Sequence, residues 1–432
     1  MRLFRIPVAI AFALALTVGA SPTPAPAAAP PAYFVDESKL PFEQLAGTST
    51  HRMWGMHNGA GYRIEVPDNW NGELVLYAHG YRGTGLELTV DNPSIRNYLV
   101  RNGFAWAASS YSKNGYDVKQ GVKDTHTLGA LFRGLVGNPE RTYLIGHSMG
   151  GHITGVAIEQ YPKAYAGAMP MCGVMGDVEL FDYFLDYNLL AQALADWPAE
   201  FPPPSDYQAT VVPAVKAALA AAFPFGLNAE GEKLKTATKL LSGGERPLFD
   251  VAWTAWANFL FTLWSGDGTL DVAPGVVAGN IDTVYQLDAD PALSPDEVAL
   301  NEAVLRVAED PQGVHPNGLA NIPTVDGSPS IPVITLHTLG DLFVPFSMEQ
   351  IYAQRVAANG ASDLLVSRAI RDVGHCGFTV GEQEAAFADL VNWVENGVKP
   401  AGDDILTPSA VAAATFGCQF TLVTRSYATP CS

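Results

Sequence analysis

Apolar positions along this chain fall into two rhythms, short unbroken runs and longer stretches of helical spacing, and the two alternate over most of its length. Tyr62 to Val66 alternates apolar and polar residues as a half-buried strand does. Glu73-Leu74-Val75-Leu76-Tyr77-Ala78 is nearly continuous and predicts a central strand covered on both faces. Phe104 to Ser109 is a further run of this kind, Thr127 to Leu135 has helical spacing, and Arg141 to Ile145 leads directly into Gly146. A helix is predicted from Gly151 to Tyr161, stopped before Pro162, and a strand from Ala166 to Met171. The alternation then breaks. Residues 173–330 read as mostly helical, with apolar-periodic stretches over Leu180 to Leu194, Val211 to Ala222 and Leu248 to Trp264. It returns with a strand from Ile331 to His337, a helix from Ser347 to Asn359, a strand from Leu364 to Ile370 and a helix from Gly381 to Gly397. Such alternation predicts an α/β fold with a doubly wound, mostly parallel sheet, interrupted by one large helical insertion.

Composition narrows the class. With 432 residues, 48% hydrophobic and 16% charged, there is apolar material for one large core and an appended smaller unit. A formal net charge of −19 speaks against a nucleic-acid partner, which demands a basic face. Met1-Arg2-Leu3-Phe4-Arg5, the apolar run Val8 to Val18 and the small residues Gly19-Ala20-Ser21 have the three-part pattern of a secretory signal, cleaved after Ala20 or after Ala29. No later stretch offers about 18 uninterrupted apolar residues, so no stable membrane anchor is expected. The resulting division is a signal peptide at 1–20, a Pro/Ala-rich linker at 21–32, a catalytic domain from 33–172 and 331–400, an insertion at 173–330 and a tail at 401–432. The expected location is secreted or periplasmic.

Four cysteines in an exported chain allow three pairings. Cys418 and Cys431 are close together in a tail with little else to hold it, which favours that bridge and leaves Cys172 with Cys376, beside His375. The alternative for the second pair is two buried free thiols.

Gly146-His147-Ser148-Met149-Gly150 is a G-x-S-x-G pattern between a predicted strand and a predicted helix. The chemistry needs that context: a sharp turn lifts a serine hydroxyl to the carboxyl end of the sheet, and flanking glycines avoid clashes. A serine is a poor nucleophile without a base, and the base needs a third group to fix its tautomer. Of nine histidines, His375 in Gly374-His375-Cys376-Gly377 follows the last predicted strand and reaches the same sheet edge. His79, His147 and His152 read as packing or loop supports, His126 and His337 as core or cap residues, and His51, His57 and His315 as surface. For the acid, Asp341 follows its strand across Thr338-Leu339-Gly340, whereas Asp326 precedes that strand and Asp372 is too close to His375 along the chain. Donors for an oxyanion are expected from the backbone amides of Met149, at the start of its helix, and Tyr81, in the turn His79-Gly80-Tyr81-Arg82-Gly83.

The strand into His79-Gly80, the turn around Ser148, Asp341 and His375 together resemble the α/β-hydrolase superfamily over roughly residues 60 to 175 and 330 to 398. Among its branches the chain resembles secreted bacterial carboxylesterases and the peptidases related to prolyl oligopeptidase. It departs from the hormone-sensitive-lipase branch, since Tyr81-Arg82 stands where two further glycines would follow His79-Gly80. The resemblance implies acyl transfer to water with the chain order Ser148, Asp341, His375. The insertion then reads as a lid that sets specificity. Its aromatic residues, among them Phe184, Tyr187, Trp253, Trp256, Phe259 and Trp264, fill the lid's own core on the plainer reading. Those that face Ser148 would make an apolar pocket suited to a hydrophobic, aromatic or polymeric ester.

The expected function is a secreted serine esterase acting on small-molecule or polymeric esters. A serine peptidase, aminopeptidase or prolyl-oligopeptidase-like, is the alternative, with Asp177, Glu179, Asp182 and Asp186 as candidate anchors for a free amino terminus; one solvated helix face explains their spacing more simply. A non-catalytic exported binding protein is disfavoured because all three triad residue types occur in order. No cluster has metal-ligand spacing and no phosphate loop follows a strand, so neither metal nor cofactor is expected.

Overall fold

The computed structural model describes residues 32–263, 275–311 and 321–431. The expected signal peptide, most of the linker, Trp264 and His315 lie outside the described residues. In chain order the strands are β1 Phe34–Val35, β2 Thr50–His57, β3 Ala60–Pro67, β4 Glu73–Ala78, β5 Glu87–Leu88, β6 Ala105–Ser109, β7 Arg141–His147, β8 Gly167–Met171, β9 Ala220–Ala222, β10 Phe225–Leu227, β11 Val333–Thr338 and β12 Leu365–Ile370. The helices are α1 Arg96–Arg101, α2 Val118–Leu135, α3 Met149–Gln160, α4 Glu179–Leu194, α5 Val212–Leu219, α6 Ala229–Leu241, α7 Phe249–Leu260, α8 Pro295–Ala303, α9 Ser347–Ala358, α10 Val380–Asn396 and α11 Pro408–Val411.

Eight strands form the main sheet in the order β12-β11-β8-β7-β4-β6-β3-β2. All neighbours pair in parallel except β2 with β3 and β3 with β6. β2 and β3 are joined by Asn58-Gly59, both with positive φ (51° and 84°), the pair that a two-residue hairpin turn demands. The chain runs from β4 outward to β6 and then returns past β4 to β7, so the topology switches direction between β4 and β7. In open sheets of this kind the switch point is where ligands bind, at the strands' carboxyl ends. This is the α/β-hydrolase arrangement.

Central strands are apolar because both faces are covered. Along β4, Leu74, Leu76 and Ala78 enter one core with Leu144, Ile153 and Val122, while Val75 and Tyr77 enter the opposite core with Tyr143, Phe387 and Leu390. Each such Leu or Val contributes roughly 1.5–3 kcal/mol. Helix α2 starts well before the expected Thr127, capped by Asp117, whose side chain accepts from Gln120 N.

Between β8 and β11 the described chain carries α4 to α8, with α4 buried on almost every side. Tyr187 meets Phe261 at 5.0 Å, and Phe223 meets Trp253 and Phe261 at 5.7 Å, so these rings fill the insertion's own core. The helix expected over Val211 to Ala222 ends at Leu219, where the chain turns into the β9–β10 pair.

Of the four carboxylates expected on a solvated face, Glu179 is exposed and the other three are engaged. Asp186 is buried and accepts from Tyr285 Oη at 2.7 Å and Thr283 Oγ1 at 3.3 Å, and Asp182 accepts from Gly279 N at 2.6 Å. Asp177 accepts from Val325 N at 2.9 Å and pairs with Arg355. These carboxylates tie α4 to later parts of the chain. Burial pushes the Asp182 carboxyl up to about 8 and that of Asp186 to about 7. A carboxyl whose pKa rises on folding keeps its proton in the folded chain over the window from about 4 to about 8. Its stabilising contribution is full below that window and is lost as pH rises through it. Asp182→Asn is therefore expected to melt about 2–5 °C above the parent at pH near 9 and no higher than the parent at pH near 5. Equal melting temperatures at the higher pH would contradict this.

Candidate active site

The turn at Ser148 is built by contacts that admit only glycine on either side. β7 ends at His147 and α3 starts at Met149, leaving Ser148 between them at φ 58°, ψ −122°, a region that costs a non-glycine residue of order 1–3 kcal/mol. A Cβ on Gly146 would stand 2.1 Å from Gly150 O, and one on Gly150 would stand 2.1 Å from Ala78 O. The strained residue is held by its own hydrogen bonds: Ser148 N donates to Met171 O at 3.0 Å, and Ser148 O accepts from Gly151 N at 2.8 Å.

Asp341 lies beyond the end of β11 and is fully buried. Its Oδ1 accepts from Phe343 N at 2.9 Å and Val344 N at 3.0 Å, which fixes the carboxylate plane. Its Oδ2 lies 2.6 Å from His375 Nδ1. With the carboxylate charged, Nδ1 carries the proton and Nε2 keeps its lone pair. Nε2 is buried and makes no hydrogen bond among the described residues, Ser148 Oγ included.

The third wall comes from the turn after β4. A Cβ on Gly80 would lie 3.2 Å from Ser148 Cβ and 3.7 Å from its Oγ, so this loop passes directly beside the serine. His79 locks it: the ring stacks on Tyr111 at 4.0 Å, its carbonyl accepts from Tyr111 Oη at 3.0 Å, and burial drives its pKa down to about 4, so the imidazole is neutral. Tyr81 follows Gly80. Met149 is the first residue of α3, where the helix has no carbonyl of its own to bond the amide.

The segment from Arg371 to Phe378 that carries His375 has no helix or strand and is held by cross-links. Thr338 Oγ1 donates to Gly374 O at 2.8 Å, and Gly340 N donates to Asp372 O at 2.8 Å. Cys376 is bonded to Cys172, which directly follows Met171, the residue that accepts from Ser148 N. The bridge thus brings the histidine segment over the same sheet edge as the serine. Cys418 is bonded to Cys431. The ligand atoms of Cys172, His375 and Cys376 lie within 4.8 Å of one another, but both sulfurs are spent in the disulfide and offer no thiolate to a metal.

Two residues at this site, Phe343 and Arg246, were not singled out by the sequence. Phe343 packs its edge against His375 at 5.0 Å, and the insertion surrounds Phe343 with Phe184 at 6.0 Å, Trp256 at 6.3 Å and Phe259 at 5.3 Å. Trp256 Nε1 also donates to Val373 O at 2.7 Å. Arg246, buried between α6 and α7, donates to Leu339 O at 2.7 Å, behind Asp341. Phe343 sits two residues after Asp341 and could have been flagged by that spacing, whereas Arg246 is brought in only by tertiary contacts.

Four other described histidines have partners of their own. His147 faces Gln383 at 3.1 Å, His152 contacts Tyr116 and Pro323 O, His126 stacks on Tyr161, and His337 pairs with Glu349 inside the core. Asp372 is engaged elsewhere. Its Oδ1 accepts from Gly374 N at 2.7 Å and its Oδ2 from Arg425 Nε at 2.7 Å.

No protein-family model matches the chain. Among curated proteins it is similar to an o-phthalyl amidase from Xanthobacter agilis, 23% identical over 413 residues, covering 82% of this chain and 89% of that protein. Among solved structures it is similar to feruloyl esterase B from Aspergillus oryzae, with a TM-score of 0.45, 14% identity and 87% of each chain covered. It is also similar to a proline iminopeptidase from Mycobacterium smegmatis, with a TM-score of 0.41 and 11% identity, covering 80% of this chain and 99% of that one.

Proposed function

We propose that this chain is an exported serine hydrolase that cleaves carboxylic esters with an aromatic group through an acyl-enzyme on Ser148. The observation that carries the reading is the 2.6 Å contact of His375 Nδ1 with buried Asp341, which leaves Nε2 unprotonated at the edge where Ser148 is raised on its turn. In this mechanism Nε2 takes the Ser148 proton as Oγ attacks the carbonyl carbon. The Met149 and Tyr81 amides hold the oxyanion, and the imidazolium then protonates the departing alkoxide. Water, deprotonated by the same nitrogen, releases the acid and restores Ser148.

The aromatic preference is supported by the cluster of Phe184, Trp256, Phe259 and Phe343 beside His375, which offers ring faces and edges at stacking distance. In this reading the insertion acts as a lid that contributes specificity. Two disulfides support an oxidising, extracytoplasmic location, and no helix among the described residues is long and apolar enough to cross a membrane.

Amide cleavage is the second reading, favoured by the likeness to an amidase. Its peptidase form has less support. Of the carboxylates that would anchor an amino terminus, Asp177, Asp182 and Asp186 are engaged in tying the insertion, and Glu179 lies 3.9 Å from Arg355.

The test is a matched panel of p-nitrophenyl alkanoates, aryl-acid esters, the corresponding anilides and aminoacyl amides. Aryl-acid esters are expected to have the highest kcat/KM. Phe259→Ala is expected to lower kcat/KM for them by about 3–10-fold and to leave acetate esters within about 2-fold, as loss of one aromatic pair implies. Anilides faster than esters would move the assignment to an amidase, and a flat response to Phe259→Ala would remove the aromatic pocket.

A further inference from the structure

The segment bearing His375 is irregular, yet a general base must be held to a fraction of an ångström. Much of what holds it comes from the far end of the chain. Arg425 lies near the middle of the loop closed by Cys418–Cys431, 7 residues from one cysteine (425 − 418) and 6 from the other (431 − 425). Its side chain is only 9% exposed. Nε donates to Asp372 Oδ2 at 2.7 Å, Nη1 to Glu382 Oε1 at 2.7 Å, and Nη2 to Gly377 O at 2.8 Å and Glu382 Oε2 at 2.9 Å.

These acceptors bracket the histidine. Asp372 uses its other oxygen to accept from Gly374 N, the residue before His375, while Gly377, the residue after Cys376, is held by the guanidinium itself. A Cβ on Gly377 would lie 2.4 Å from Asp372 Oδ1, so the two arms of the turn are in direct contact. Glu382 in turn accepts from Thr379 N at 2.7 Å, completing the capping box of α10, the helix that follows the segment. Burial works to raise the Glu382 carboxyl, and the bonds from Arg425 and Thr379 N more than offset it, so it stays below its usual range.

The tail is secured independently of this contact. Arg371 Nη1 donates to Ala414 O and Phe416 O at 2.9 Å, and Arg371 N donates to Thr421 Oγ1 at 2.9 Å. Arg425 is therefore presented by a closed loop that is already docked. A planar fork is required here: a lysine ammonium reaches one carboxylate at a time and cannot span Asp372, Gly377 and Glu382 together.

We infer that Arg425, presented by the disulfide-closed C-terminal loop, is a positioning residue for His375, acting through Asp372 and Gly377 on the two arms of its turn. The inference rests on the proposed role of His375 as general base. It differs from a purely structural brace in what its loss does. Misplacing the base by about 1 Å costs on the order of 10²-fold in the chemical step without weakening substrate binding.

The experiment is a double-mutant cycle of Arg425→Gln and Asp372→Asn in the full-length protein with both disulfides intact. It is read as kcat and KM for p-nitrophenyl butyrate at a temperature where circular dichroism shows every variant folded. Each single variant is expected to lower kcat by about 10–100-fold with KM within about 2-fold, and the double variant to be no slower than the worse single, because both act through one unit. Should Arg425→Gln not fold, Arg425→Lys takes its place, with kcat expected about 3–10-fold below the parent. A kcat within about 2-fold of the parent in the folded variant, or losses that multiply in the double variant, would overturn the inference. A parent protein whose turnover survives loss of Ser148 would instead overturn the catalytic reading beneath it.

Discussion

Ser148→Ala is expected to lower kcat for any ester the protein turns over by about 10⁴-fold or more, with KM and melting temperature close to the parent's. In the proposed mechanism the size follows from removing the atom that bonds the acyl group. What remains is a positioned base and oxyanion donors acting on water. The unchanged stability follows from the backbone: alanine keeps the Cβ that makes φ 58° costly and deletes a hydroxyl absent from the contacts that hold the turn. Ser148→Gly is a useful contrast. It removes both the nucleophile and the strain, so it is expected to be as inactive and to gain about 1 kcal/mol of stability. Residual ester turnover above about 1% of the parent in either variant would contradict the assignment.

Asp341→Asn is expected to cost about 10³–10⁴-fold in kcat, again with little change in KM. The local hydrogen bonds dictate the cause. Oδ1 faces two donors, Phe343 N and Val344 N, so the amide oxygen of an asparagine must take that position. Its NH₂ group then points at His375 Nδ1, which has to accept, and the imidazole proton moves to Nε2. The base is left in the tautomer that cannot take a proton from Ser148. Phe343→Ala probes the same histidine from its ring edge without touching the tautomer, so it should affect binding of aromatic substrates more than the chemical step. A kcat within about 10-fold of the parent for Asp341→Asn would show that another acid orients the histidine.

The parts of this fold legible in the sequence were those with short-range causes. β4 and β7 are readable because strands covered on both faces must be apolar throughout, and the Ser148 turn because its glycines are required by backbone contact at 2.1 Å. The closeness of His375 and Asp341, 2.6 Å apart, was legible because each follows a predicted strand and so falls on one edge of a parallel sheet. The β2–β3 hairpin was signalled by Asn58-Gly59 but was not read, because β2 contains enough polar and charged residues to hide beside the apolar strands. The early start of α2 was signalled by Asp117 as a cap.

What could not be read has long-range causes. Asp182 and Asp186 have the spacing of a wet helix face, but Gly279 and Tyr285, roughly a hundred positions away, cover them. The aromatic residues of the insertion divide between its own core and the surroundings of His375, and no periodicity separates Tyr187 from Phe184 and Trp256. Arg425 meets Asp372 across 53 positions, and nothing in the tail's composition distinguishes it from a surface arginine.

Reaction of the parent protein and of His375→Ala with a fluorophosphonate, followed by peptide mapping, tests the role of Ser148 most directly. A single adduct on the peptide containing Ser148, formed in the parent and slowed by about 10³-fold or more without the imidazole, is the expected result. An adduct on another residue, or labelling of Ser148 that proceeds equally fast without His375, would contradict the mechanism.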